Sequence, residues 1–198
     1  FTMTYVNGAW TGPTNPAVTF EVKCEEELVP VHLVIYRNGD TSKAYKYVAL
    51  ESQPKGHVID LSTIDIADYY TGNCEFYGWY DDGLFNIYKS DPANPPAGLK
   101  EKTVNGWTNL KCMVYDKYQV VYFQSEEALR DFQNDHSKTE GRLYSATALF
   151  GSTLPTADAP TPTRTGYTFK FWSREGQNGD VTGQTVNGWT NLYAVCEK

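Results

Sequence analysis

The chain has 198 residues, 24 of them acidic and 17 basic, for a formal net charge of −7. Nucleic-acid binding draws much of its affinity from Lys and Arg contacts to phosphates, so an acidic chain without a basic stripe argues against it. No stretch approaches the roughly 20 apolar residues that cross a bilayer, whereas 15 Tyr, 9 Phe and 5 Trp favour strands.

Residues 1–30 carry Val6-Asn7-Gly8-Ala9-Trp10 and then alternate at Val18, Phe20, Val22 and Cys24 as a half-buried strand does. We read them as an N-terminal strand or the tail of a preceding module. No charged-then-apolar leader opens the chain, which starts at Phe1, and an excised or processed form is expected. Val31–Tyr36, the turn Arg37-Asn38-Gly39-Asp40 and Lys43–Leu50 predict a hairpin, because Asn and Gly tolerate the positive φ of a tight turn. Ser62 is expected to cap a short helix with Ile64, Ala67 and Tyr70 inward and Gly72 ending it.

Asp81-Asp82-Gly83 resembles the opening of a calcium loop, but the Asp/Asn alternation and closing Glu are missing, so it reads as a plain turn. Leu84–Leu99 holds Pro92, Pro95, Pro96 and Gly98, which preclude a regular strand and predict a protruding loop. Beyond it, Tyr118–Phe123 is an apolar strand, and Ser125 caps a helix over Glu126–Asn134 with Ala128, Leu129 and Phe132 on one face. Thr153–Thr165, with Pro155, Pro160 and Pro162, is an extended connector.

Internal repetition organises these elements. Thr103-Val104-Asn105-Gly106-Trp107-Thr108-Asn109-Leu110 recurs 82 residues later as Thr185-Val186-Asn187-Gly188-Trp189-Thr190-Asn191-Leu192. Thr71-Gly72 and the strand Cys74–Trp79 match Thr165-Gly166 and Tyr167–Trp172, with Phe three places before Trp in both. Two copies follow, 31–116 and 117–198, each of the order of a small domain. Trp79 and Trp107 are 28 residues apart and Trp172 and Trp189 only 17, so copy one carries 11 extra residues, placed in Leu84–Leu99. The expected fold class is α+β, mostly β.

The second copy resembles the internalin-B-type B repeat, also called the Listeria–Bacteroides repeat. The likeness rests on Tyr144, Phe150-Gly151-Ser152-Thr153-Leu154-Pro155, Pro162-Thr163-Arg164-Thr165-Gly166-Tyr167-Thr168-Phe169-Lys170-Phe171-Trp172 and Leu192-Tyr193-Ala194. The family usually has Gly before its Trp, which Gly78 keeps and Phe171 replaces, and it usually closes Tyr-Ala-x-Trp, where Cys196 and Val114 stand here. The resemblance implies two tandem β-grasp-like modules in a secreted or wall-attached bacterial protein. In such proteins these repeats serve adhesion, act as spacers or accompany large enzymes.

Chemistry-bearing residues are sparse. His32, His57 and His136 are isolated, and no nucleophile elbow, phosphate loop, dinucleotide fingerprint or zinc-protease motif occurs. His32 alternates with Val31 and Leu33 and is expected to point out of its strand. Cys24, Cys74, Cys112 and Cys196 form no C-x-x-C pair; three disulfide pairings fit the spacing, and buried free thiols are the reading taken. A paired-carboxylate glycosidase and a Lys–Asn cross-link both depend on convergence in three dimensions, which sequence does not display. No cofactor or metal is called for.

Trp79 and Trp172 follow strand-alternating Phe and are expected in the core. Trp107 and Trp189 follow Asn-Gly turns, which expose side chains, and together with Phe85 and Tyr88 beside the insertion they form the candidate ligand-binding set. The function expected is a non-catalytic, extracellular, cell-surface interaction or spacer segment, monomeric within a longer multi-module chain. Its partner would be a host or neighbouring surface protein, or a glycan. The alternative is a carbohydrate-binding module accessory to a polysaccharide-active enzyme.

Overall fold

The computed structural model describes residues 4–6, 9–11, 25–81 and 97–198. The protein is mostly β, with a curled mixed sheet. Strands β1 (Thr4–Val6) and β2 (Ala9–Thr11) pair as a small antiparallel unit. The alternating stretch Val18–Cys24 lies outside the described residues. Among those residues, the main sheet unites β4 (Val31–Arg37), β5 (Lys46–Ala49), β8 (Cys74–Tyr80), β10 (Thr108–Phe123), β11 (Arg142–Leu149), β12 (Thr168–Arg174) and β13 (Thr190–Glu197). Short strands β3 (Leu28–Val29), β6 (Gln53–Pro54), β7 (Val58–Asp60) and β9 (Glu101–Thr103) form two flanking pairs, β3 with β6 and β7 with β9.

The central element is β10, 16 residues long, which spans the boundary at Asp116 and Lys117 without interruption. Its first half pairs parallel with β4 and antiparallel with β8, and its second half pairs parallel with β13 and antiparallel with β11. The segment Tyr118–Phe123 is thus the continuation of this strand, where the sequence suggested a separate opening strand. Side chains alternate across a strand. Leu110, Cys112, Val114, Val120 and Tyr122 therefore enter cores on one face, and Met113, Tyr115, Val121 and Phe123 enter cores on the other.

The pairing around the two halves of β10 is equivalent in register. Leu33 opposes Leu110 and Trp79 opposes Cys112; 82 residues along the closing strand, Tyr122 opposes Leu192 and Trp172 opposes Ala194. The register shift between Met113 and Val114, opposite Gly78 and Phe76, recurs between Val195 and Cys196, opposite Phe171 and Phe169. The amide of Leu99 donates to the Trp79 carbonyl, and that of Val181 to the Trp172 carbonyl. The extra chain of the first half therefore leaves after Trp79 and rejoins at Leu99; residues 82–96, most of the expected loop, lie outside the described residues.

Local expectations fare unevenly. The hairpin forms, with Asn38 at φ 55° and Gly39 at φ 74°, though its return strand spans only Lys46–Ala49. Ser125 caps α1 (Glu126–Asn134), its hydroxyl accepting from the Ala128 amide, and Ala128 and Leu129 pack on Phe123 and Tyr193. The helix expected after Ser62 does not form. Two 3₁₀ turns, Leu61–Thr63 and Ala67–Tyr69, replace it: Asp60 rather than Ser62 is the cap, Ile64 is extended, and Ala67 is exposed. A segment this short nucleates poorly, and burial of Leu61 and Ile66 in the core decides its path. The connector Thr153–Thr165 is irregular and is pinned by a bridge between Thr153 and Thr185.

Trp79 and Trp172 are 5% and 4% exposed, each inside the core of its own half. Trp172 meets Tyr122 edge-on at 5.0 Å between ring centroids, an arrangement favoured by the ring quadrupoles. Trp172→Ala is expected to cost about 3–5 kcal/mol, a large share of a small domain's stability. Urea unfolding followed by circular dichroism checks this. Because both halves share β10, the first half should lose stability in the same transition. A midpoint close to that of the unmodified chain would contradict the core assignment.

Candidate binding surface

The Asn-Gly-Trp turns are built by anchoring on both sides of the Trp. Val104 and Val186 are fully buried, and their amides donate to the carbonyls of His57 and Ser152 at 2.8 Å. After each Trp, Thr108 and Thr190 are buried and their hydroxyls donate back to the carbonyls of Gly106 (2.8 Å) and Gly188 (3.0 Å). The indole between the two anchors has nowhere inward to go. Trp107 is 67% exposed and Trp189 59%.

The surroundings of the two indoles differ. His32 lies on β4 opposite Asn109. Its ring stacks on Trp107 at 4.4 Å and 13° and on Tyr47 at 4.9 Å and 24°. Tyr47, His32 and Trp107 make one braced stack on the face opposite the Leu33 and Leu110 core. His32 does leave its strand away from that core, but it is only 8% exposed because the two rings cover it. Its Nδ1 and the Oδ1 of Asn109 are buried with no hydrogen-bond partner among the described residues.

In the second half Val121 occupies the place of His32, so no ring is available there for stacking. The Trp189 Nε1 instead donates to Asn191 Oδ1 at 3.0 Å, beside a groove of about 440 Å³ lined by Phe132, Gln133 and His136. Phe132 and His136 stack at 4.9 Å. Trp107 lines a groove of similar size, about 450 Å³, walled by Asp81, Lys102, Thr103, Asn105, Asn109 and Lys111. Lys102 and Asp81 form an ion pair. Phe85 and Tyr88 lie outside the described residues. The roles of His32, Tyr47 and Phe132 escaped the sequence, because each depends on strand pairing or helix placement that brings distant segments together.

A half-buried polar cluster centred on the buried Asp116 lies at the middle of β10. Asp116 Oδ1 accepts from Arg37 Nε (2.9 Å) and Nη2 and from Cys74 Sγ (3.1 Å), while Oδ2 accepts from Asn38 Nδ2 (2.7 Å) and the Tyr118 hydroxyl (3.2 Å). With five donors the carboxylate is saturated, leaving little acceptor capacity to take a proton from a substrate. Burial, then the hydrogen bond to Asp116, pushes the Cys74 thiol up to about 11, and burial pushes Cys112 up to about 12. Both shifts run against the thiolate that a nucleophile requires. Cys74, Cys112 and Cys196 are free thiols, and Cys24 lies outside the described residues. His32 and His136 stack on aromatic rings, and His57 is exposed. Among the described residues no three His, Cys, Asp or Glu side chains gather as a metal site would require, and no helix is long and apolar enough to cross a membrane.

No family model, curated protein or solved structure matches the chain.

Two outcomes follow from this geometry. Burial acts to raise the Asp116 carboxyl, but hydrogen bonds from Arg37, Asn38 and Cys74 with the Arg37 charge outweigh it and hold the group below its ordinary value. The ion pair then contributes fully above the unfolded-chain value of about 3.9 and is lost as pH falls through the lower folded value. Asp116→Asn should cost about 2 kcal/mol at pH 7. Urea titrations at successive pH values should show the gap from the unmodified chain closing below about pH 4; a gap independent of pH would contradict it. Trp107→Ala and Trp189→Ala, by contrast, should each cost no more than about 1 kcal/mol, with circular dichroism and melting curves as the readout.

Proposed function

We propose that the chain is a non-catalytic, extracellular interaction segment of a secreted or cell-surface bacterial protein, made of two tandem β-grasp-like repeats of the internalin-B type. One observation carries this reading: a largely exposed indole stands at the equivalent register position of both halves, held out by a buried Val and a buried Thr. Single exposed hydrophobic residues are ordinary on a protein surface. A duplicated Trp with its own anchoring on each side is an organised feature, and Trp is prominent among residues that dominate binding energy. The saturated Asp116 cluster and the protonated thiols support a non-catalytic role. The resemblance of residues 144–194 to the repeat family supports the extracellular setting.

The experiment is a paired array of extracellular-matrix proteins and glycans probed with the full chain and with the Trp107→Ala, Trp189→Ala double variant. The double variant should remain folded by circular dichroism and lose the signal. Retention of every signal by the folded double variant would overturn the site. Silence of the unmodified chain on both arrays would overturn the binding role and leave a spacer.

A further inference from the structure

We infer that the groove beside Trp107 is a subsite for a neutral pyranose ring with equatorial substituents, one unit of a β-linked glycan stacked on the free face of the indole. This rests on the reading of the Asn-Gly-Trp turns as binding surfaces and names the ligand class of the first one.

The indole is both exposed and braced. One of its faces lies on His32 at 4.4 Å and 13°, and His32 is backed by Tyr47. With 67% of the residue open, Trp107 also lines the groove. A platform fixed before the ligand arrives loses little conformational freedom on binding.

The rest of the groove is polar. Asp81 and Asn105 offer acceptors, Lys102 and Asn105 offer donors, and Thr103 offers a hydroxyl. One flat apolar wall with polar walls around it does not suit a buried peptide anchor, which needs an apolar pocket that excludes water. It suits a molecule with an apolar face and a ring of in-plane hydroxyls. A pyranose with equatorial substituents has that shape: its axial C–H bonds form the face and its hydroxyls radiate from the edge. Asp81 pairs with Lys102 at the groove, where Lys111 is the other charged residue of the lining, and the net charge of −7 on the chain as a whole opposes the approach of a polyanion.

The second turn is built differently. Trp189 has already committed its Nε1 to Asn191, and its groove is walled by Phe132 and His136. The first turn is therefore the principal sugar subsite.

Isothermal titration and tryptophan fluorescence of the full chain against cellohexaose, maltohexaose and polygalacturonate test this. Cellohexaose should bind more tightly than the α-linked hexaose and shift the fluorescence. Trp107→Ala should weaken binding by about tenfold or more, and Trp189→Ala by less than about threefold. His32→Phe, which keeps a flat ring beneath the indole, should retain binding and guards against misreading a folding defect. Preference for polygalacturonate, or cellohexaose affinity unchanged in a folded Trp107→Ala variant, would overturn the inference. Silence toward all three glycans would overturn it too, but protein binding lost in the double Trp variant would still support the broader reading of the turns.

Discussion

A strand of 16 residues shared by two sheet halves constrains everything around it. Because β10 closes the first half and opens the second, its side chains must satisfy four cores in strict alternation, and a slip of one residue would turn every one of them to the wrong face. The residues from Cys112 to Asp116 are buried without exception, which reflects cover on both faces. Asp116 sits where one half gives way to the other and gathers the hairpin turn, through Arg37 and Asn38, and the start of β8, through Cys74. Its five donors fix the hairpin of the first half to the point where the strand becomes part of the second. Phe150, at the end of β11, extends this union: its amide donates to the Asp116 carbonyl and its ring packs near Met113 and Tyr115. The two halves are bound by covalent, hydrogen-bonded and apolar contacts at once.

Within this shared plan the halves have exchanged bulk. Gly78 adopts φ 141°, and a Cβ there would meet the Tyr80 hydroxyl at 2.1 Å, because the Tyr80 ring folds back to donate to the Tyr77 carbonyl. In the second half Phe171 stands where Gly78 does and Ser173 where Tyr80 does. Large and small residues have traded places on the same strand, which keeps the filled volume similar and removes the need for Gly. The cover of this face differs accordingly. α1 packs over Val121, Phe123 and Tyr193 in the second half, while a tight Asn-Gly turn follows β4 at the corresponding point of the first. The helix and the 3₁₀ turns thus sit at different points of their halves because each covers whatever its own sheet leaves open.

The exposed indoles follow from the same geometry. An anchor residue in the core, two turn residues and a second buried anchor leave one side chain facing solvent, and in both halves that residue is Trp. What lies beside it is set by neighbouring strands. A His on β4 gives the first indole a ring to stack upon, and a Val at that place sends the second to an Asn instead. One residue on an adjacent strand is enough to make two copies of the same turn into different surfaces.

Much of this was legible beforehand. The eight-residue echo placed the turns, the strand following them and the extra segment of the first copy, because identical local sequences meet identical pairing demands. Asn38-Gly39 and Ser125 declared a turn and a cap through their own backbone chemistry, and the Trp residues after strand-alternating Phe declared a core through periodicity. Other features lay beyond its reach. That Tyr118–Phe123 continues the preceding strand, that Ser62 starts no helix and that His32 is covered all depend on which segments lie side by side. The stack of Tyr47, His32 and Trp107 joins the hairpin strands β4 and β5 to a turn far along the chain, and the Asp116 hub joins residues up to 79 positions apart. Local propensity and spacing by themselves determined the elements and the turns. Only tertiary pairing, where register brings distant side chains to one face, decided which of them meet and hence what the surface offers.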